Sequence, residues 1–402
     1  CQMKRALFLV GLTLLGLVGV AQGLSPAQEA WLKAAGLGPY QPQTEDWQAI
    51  YEAAKVEGKV VIYSISSRIY QVVDAFKAAY PGIEVEAYDM TDVEQIEKLT
   101  REQAAGIYNV DVVFLAGITP VMELLPKRLI WNYVPDTTYD GKPTAQVIPI
   151  EFREPLLVHS LESKVVFYNF AAFSEGCPID TLWDLTRPEF KGRVQMKDPM
   201  LTEENMVFLA MLVQHADAMA AAYEREFGRP FQPTPDAPNA GYAWIKAMVE
   251  NGLVLTQSDG DASKAVGTAT GPNPPFAISC SSSKIRDNEK GQKLAVCWDL
   301  LPMAGTTKTN FLAIANLAPH PNAAKLLIRF MLGDATGGVG FAPFYVAGQW
   351  SPRTDVPAKL PTPATLRWVL TLDELRNKTW FYDYDWLYTH IVEVQDFWLS
   401  LR

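Results

Sequence analysis

The chain has 402 residues, 49% of them apolar and 20% charged, and its 35 Lys and Arg against 45 Asp and Glu leave a formal charge of −10. That length holds two domains or one large α/β body, with ample material for a core. The acidic balance, with no cluster of Lys and Arg set against it, excludes a nucleic-acid groove.

The first residues read as an export signal. Lys4 and Arg5 precede an apolar run over 6–20, and Ala21-Gln22-Gly23 places small residues before a cut at Leu24. An apolar run of about 15 residues is short for a bilayer, which needs ~20. Cleavage near Gly23 and a periplasmic destination are therefore expected. Cys280 and Cys297 flank a short polar excursion and are expected to form a disulfide in that oxidising compartment, leaving Cys177 over.

Residues 24–43 form a pre-domain segment, and 47–56 a helix leading into Val60-Val61-Ile62, a β-branched strand buried on both faces. The loop 64–68 follows at once, then a helix with Ile69, Val72, Val73 and Phe76 at three- and four-residue spacing. Pro81-Gly82 stops it, and a second strand covers 83–88. A helix over 92–105 and a third strand over 111–115 complete three strand–helix units, one half of a doubly wound sheet. From about residue 151 the pattern changes. Two strands, 156–159 and 165–169, are joined by Glu162-Ser163-Lys164 as a hairpin or crossover. Strands over 193–196, 254–257 and 276–279 then alternate with helices over 203–215, 218–227, 243–250 and 261–268. Segments 295–301 and 311–314 lead back to the first domain, followed by a helix over 321–332 and an aromatic, helical C-terminus. The aromatic residues Trp380, Phe381, Tyr382, Tyr384, Trp386 and Tyr388 are expected to pack against the first lobe. This is an α/β chain of two lobes joined by two crossing segments, an arrangement that makes a hinge with a cleft. The expected division is a signal over 1–23, a discontinuous first lobe over 24–152 and 299–402, and a second lobe over 153–298.

Ligands in such sheets bind at the carboxyl ends of strands. Ser64, Ser66, Ser67 and Arg68 end the first strand and open a helix, a cradle for an oxyanion whose alternative reading is helix capping. Thr119 ends the third strand in an equivalent place. Asp198, Thr202 and Asn205 stand at the start of the long second-lobe helix, where capping accounts for at least one of them. Asp259 and Asp261 precede a helix and fit either N-capping or contact with ligand hydroxyls. Ser281, Ser282, Ser283, Lys284 and Arg286 form a polar run that is either a ligand loop or a solvated one, and Tyr345 is a candidate cleft wall.

Several stretches resemble the solute-binding proteins of ABC importers, in the branch that includes ferric-ion-binding proteins. They are Gly58-Lys59-Val60-Val61-Ile62-Tyr63-Ser64, Phe76-Lys77-Ala78-Ala79-Tyr80-Pro81-Gly82-Ile83-Glu84-Val85 and Asp111-Val112-Val113-Phe114. Further along stand Thr181-Leu182-Trp183-Asp184-Leu185, Pro188-Glu189-Phe190-Lys191-Gly192-Arg193 and Asp259-Gly260-Asp261. Pro319-His320-Pro321-Asn322-Ala323-Ala324-Lys325 and Ser351-Pro352-Arg353-Thr354-Asp355-Val356 complete the series. The resemblance implies the type II periplasmic-binding-protein fold, a ligand in the cleft, delivery to an inner-membrane ABC permease, and no catalysis. A monomer without a cofactor is expected. The iron-binding members present an adjacent tyrosine pair, since phenolates suit hard Fe(III). This chain has no Tyr-Tyr pair, and Ser279-Cys280-Ser281-Ser282-Ser283-Lys284-Ile285-Arg286 stands where the pair is expected. Hydroxyls with Lys and Arg suit phosphate, sulfonate or carboxylate oxygens. An anionic, phosphate-bearing small molecule is therefore the favoured ligand, with Fe3+ the alternative. An exported hydrolase is a distant third reading, because no G-x-S-x-G elbow, H-E-x-x-H pair or Walker loop is present.

Overall fold

The computed structural model describes residues 23–361 and 369–402; all but the last residue of the signal expected over 1–23 lies outside them. The first three strands, β1 (Lys59–Ser64), β2 (Glu84–Asp89) and β3 (Val112–Ala116), pair in parallel in the order β2-β1-β3. Between β1 and β2 runs α1 (Ile69–Ala79), which buries Ile69, Val72 and Phe76 and ends at Tyr80-Pro81-Gly82. Between β2 and β3 runs α2 (Asp92–Ala104), whose Thr91 and Glu94 close a reciprocal capping box.

The second half contributes β4 (Leu157–Asn169), β5 (Val194–Lys197), β6 (Val254–Thr256), β7 (Phe276–Ser281) and β8 (Gly305–Ala315). The main path of the sheet is β2-β1-β3-β8-β4-β7-β5-β6, with short strands pairing beside it. The two long strands β4 and β8 lie antiparallel at its centre, paired from Leu157–Leu312 to Val165–Gly305, and they are the two crossing segments of the hinge. Parallel strands flank them on either side, β1 to β3 in one lobe and β5 to β7 in the other.

The structure departs from the sequence reading at three places. The strands expected over 156–159 and 165–169 are one continuous strand, β4. Glu162-Ser163-Lys164 is no turn: Glu162 and Lys164 sit on one face of an extended chain whose polar residues meet partners across the hinge. The second departure is the disulfide, which joins Cys177 to Cys297, with Cα atoms 5.3 Å apart, and leaves Cys280 free and buried. Cys280 lies on β7 opposite Val165 in the first of two buried apolar clusters, whereas Cys297 belongs to the second. The two thiols face different cores and cannot meet.

Third, the C-terminal helix α4 (Tyr384–Ser400) packs mainly against the second cluster and meets the first lobe near its start, where Tyr384 touches the first cluster and Tyr388 reaches Glu123. Tyr382, Leu387, Val394 and Trp398 join the second cluster, where α4 lies along α3 (Glu203–Gln214). That cover explains why α3 is buried all round, from Asn205 to Val213. The chain thus passes between the cores once more, between Leu375 of the first cluster and Tyr382 of the second. On the way, Thr379–Phe381 pairs in parallel with Gly305–Thr307 of β8. Among the described residues no single helix is long and apolar enough to cross a membrane.

Candidate functional site

Side chains alternate across a strand, so neighbouring strands in register present matching faces. On β8, Lys308 and Asn310 point into the gap between the lobes, while Thr309 and Phe311 line a separate hollow behind the hinge. Lys308 pairs across the ladder with Glu162 of β4, and Glu162 pairs in turn with Gln349. Lys308, Glu162 and Gln349 therefore stand side by side on the floor of an interlobe cavity of about 410 Å³. Asn310 and Gln349 both donate to Ser160 Oγ, at 3.0 and 3.2 Å, which fixes their amides.

The first lobe supplies one wall from the loop after β1. Ser64 is buried and does not line the cavity; its hydroxyl donates to Ser66 O at 2.9 Å and accepts from Ser66 N–H at 3.1 Å, shaping the turn. Ser66, Ser67 and Arg68 follow and do line it. The Arg68 guanidinium donates to Gln349 Oε1 at 2.7 Å and lies 5.9 Å from the centroid of Phe344, another wall residue. The second lobe answers with the 3-10 helix Ser282–Lys290, which brings Ser283 and Arg286 to the opposite wall. Its position depends on Gly348, whose φ of +79° and closeness to the Ser282 carbonyl, 2.2 Å from where a Cβ would stand, require glycine. Ser282 Oγ donates to that glycine's carbonyl at 2.6 Å.

Beneath the floor lies a ladder of buried charge. Lys164 Nζ sits 3.0 Å from Glu204 Oε2 and 2.8 Å from Asp259 Oδ2, and Glu204 also holds Lys308. Burial opposes the charges of Lys164, Lys308 and Glu204, but the pairing outweighs it. Lys164 and Lys308 are held above the ordinary lysine range by Glu204 with Asp259 or Glu162, and Glu204 well below the carboxylate range by Lys308 and Lys164. Burial likewise pushes Glu162 up, yet Lys308 and the Ser281 and Ser283 hydroxyls bring it below its ordinary value, so it stays ionised. Behind the wall, burial drives His159 down to about 3; it packs neutral among Phe114, Phe341 and Phe344.

On the cavity wall, Arg68 and Arg286 have no ion-pair partner among the described residues. Arg68 has only an amide partner, and Arg286 has no hydrogen-bond or ion-pair partner among the described residues. Burial and the nearby Arg286 pull Arg68 below its ordinary value against the attraction of the Glu162 carboxylate.

The structure thus brings Ser66, Ser67 and Arg68 to one cavity, while most other candidates have structural partners elsewhere. Thr119 lines a shallow hollow with Ile96 and Glu123 on the first lobe. Asp198 caps the turn at Met200 and pairs with Arg402 at 3.0 Å. Thr202 precedes α3 without a side-chain cap, and Asn205 is buried and donates to Lys197 O at 2.9 Å. Asp259 is taken up by Lys164 and the Ser281 N–H, and the exposed Asp261 by the Ser258 hydroxyl. Ser281 stands just behind the wall, bonded to Glu162 and, at 2.9 Å, to Ser283. Ser282 is buried, Lys284 is not on the cavity wall, and Tyr345 lies against Lys359 while its neighbour Phe344 takes the wall position. Asp89, Glu162, Lys308, Asn310 and Gln349 escaped the sequence reading. The signal for three of them was there: Ser160, Glu162 and Lys164 alternate within β4, as Lys308 and Asn310 do within β8.

No curated protein matches the chain in sequence. Among solved structures, the iron-bound HitA of Pseudomonas aeruginosa superimposes with a TM-score of 0.60 at 17% identity, over 85% of this chain and 99% of that one. A ferric binding protein from Campylobacter jejuni gives a TM-score of 0.58 at 16% identity, with coverage of 85% and 99%. A putative extracellular solute-binding protein from Bordetella parapertussis gives 0.62 at 12% identity, covering 86% and 99%. These likenesses show the two-lobed periplasmic-binding-protein fold. The family of bacterial extracellular solute-binding proteins matches residues 71–363, most of the chain, and to that family the chain belongs.

Proposed function

We propose that this protein is the capture component of an ABC importer, and that its ligand is a small phosphate-bearing anion bound between Arg68, Arg286 and the Ser66, Ser67 and Ser283 hydroxyls. The observation that carries the reading is the pair of guanidiniums facing one cavity, neither of them in ion-pair contact with a carboxylate among the described residues. Like charges brought together in a partly desolvated gap repel, and an oxyanion between them turns that repulsion into two charge-assisted contacts. Because Arg68 belongs to the first lobe and Arg286 to the second, such an anion binds the closed state better than the open one. That difference is all a ligand needs to shift the lobes. The closed form then docks on an inner-membrane permease and releases its cargo, with no chemistry on the ligand and no resident cofactor. The protein acts in the periplasm as a monomer.

A second reading, ferric iron, is favoured by the likeness to HitA and to the Campylobacter ferric binding protein. Against it stands the donor set. Hard Fe(III) prefers several anionic oxygens, and the cavity wall offers only the carboxylates of Glu162 and Asp89 beside two guanidiniums and a lysine.

Thermal unfolding separates the two. A ligand at about 100 times its Kd stabilises the folded state by ~2.7 kcal/mol through mass action. Glucose 6-phosphate, glycerol 3-phosphate, a sulfonate, a carboxylate, and ferric ion with carbonate or citrate form the panel. A saturable rise in Tm with the phosphate esters is the expected result. A rise with ferric ion and its co-anion, and none with any phosphate, overturns the anion reading in favour of iron.

A further inference from the structure

We infer that Glu162 makes the site selective for an oxyanion that still carries a proton, as a phosphate monoester does and a sulfate ester does not; this rests on the anion reading above. An anion site lined only with donors accepts any oxyanion of the right size. This one has a carboxylate in its floor, in register between Lys308 and Gln349. Glu162 is not neutralised by being there. It accepts from the Ser281 hydroxyl with Ser283 beside it, Lys308 Nζ stands 3.9 Å from its other oxygen, and Lys308 is itself taken up by Glu204. The other charged and titratable groups around it are Arg68 from the first lobe, Cys280 from β7, Tyr382 from the C-terminal segment and the Glu204 carboxylate that shares Lys308, with Asp89 and Arg286 on the same cavity wall. None of these is a second acid that shares a proton with it, and Glu162 is held on the ionised side.

An ionised carboxylate has about four acceptor positions, and the protein fills only part of them. A fully deprotonated oxyanion presents nothing but acceptors to that surface and is repelled. One bearing P–OH donates to Glu162 while its remaining oxygens take Arg68 and Arg286. Discrimination then comes from a repulsive element built into an attractive site.

Methyl phosphate and methyl sulfate test this directly, being of nearly equal size. At pH 5.5, below the second ionisation of a phosphate monoester near 6, both are mainly monoanions and only the phosphate carries a proton. Ligand-observed NMR reads binding down to millimolar affinity. The wild-type protein is expected to bind methyl phosphate at least about tenfold more tightly. In Glu162→Gln, whose amide adds donors, methyl sulfate should tighten until the two esters lie within about threefold. Glu162→Asp, which keeps the carboxylate, should keep the preference. Equal affinities in the wild type, or a preference that survives unchanged in E162Q, overturns the inference and leaves the anion reading intact. Binding of neither ester by the wild type overturns the anion reading and the inference with it. The wild-type comparison needs no variant to fold.

Discussion

Arg286→Gln separates a ligand group from a structural one, because the two roles predict opposite signs on two measurements. The side chain is half-buried on the second-lobe wall, makes no hydrogen bond or ion pair among the described residues, and repels Arg68 across the cavity. Its removal orphans no carboxylate, so the large penalty for breaking a buried ion pair does not arise. What is lost in the empty protein is a repulsion between two partly solvated charges, a term of about 0–1 kcal/mol. The empty variant should therefore unfold at the wild-type temperature or about 1–3 °C above it. Ligand binding should move the other way. One charge-assisted contact to an oxyanion is worth about 1.5–3 kcal/mol, which is about 10- to 100-fold in Kd. Calorimetric titration with the phosphate ester that gives the largest thermal shift, alongside urea unfolding without ligand, measures both. The loss should shrink as salt rises, since the partly exposed pair is screened. A variant that is destabilised when empty yet binds with wild-type affinity would refute the argument, because Arg286 would then be holding the fold and not the ligand.

Other perturbations probe the frame around the cavity. Lys164→Met leaves Glu204 and Asp259 without their shared buried cation, 3.0 and 2.8 Å away, and should cost about 3–5 kcal/mol in urea unfolding even without ligand. Cys177→Ser opens a loop of 120 residues and should destabilise the oxidised protein by about 2–5 kcal/mol; Cys280→Ser should leave intact the peptide linkage of Cys177 to Cys297 seen by mass spectrometry without reductant. His320 bonds Asp111 through Nδ1 at 2.9 Å, and that bond lifts its pKa above the ordinary value against partial burial. A raised folded-state pKa contributes stability that is complete below the unfolded value and fades as pH climbs through the folded one. Urea midpoints should therefore fall between about pH 6 and pH 8 in the wild type, and His320→Gln should remove that part of the slope.

The local grammar of the chain reached the fold but only part of the site. Val60-Val61-Ile62, the loop to Arg68, and the spacing of Val72 and Phe76 specify a strand, a turn and a helix through contacts a few residues long, so that unit and its three cavity residues were readable. Glu162-Ser163-Lys164 was read as a connection because polar residues between apolar runs usually mark one. On β4 they mark instead the stretch where a buried strand crosses beneath a cleft. The pairing of Cys297 depends on which sheet face meets which core, and an amphipathic helix such as α4 declares that one side is covered without saying by what. The deepest limit concerns charge. Lys164, Lys308, Arg68 and Arg286 are four cations of equal standing in the sequence, and their difference exists only after folding. Glu204, Asp259 and Glu162 come within reach of the two lysines, while no carboxylate is paired with either arginine among the described residues. A binding site for an anion is in this sense a remainder: the positive charge left over once the fold has matched the rest, in a gap that both lobes share.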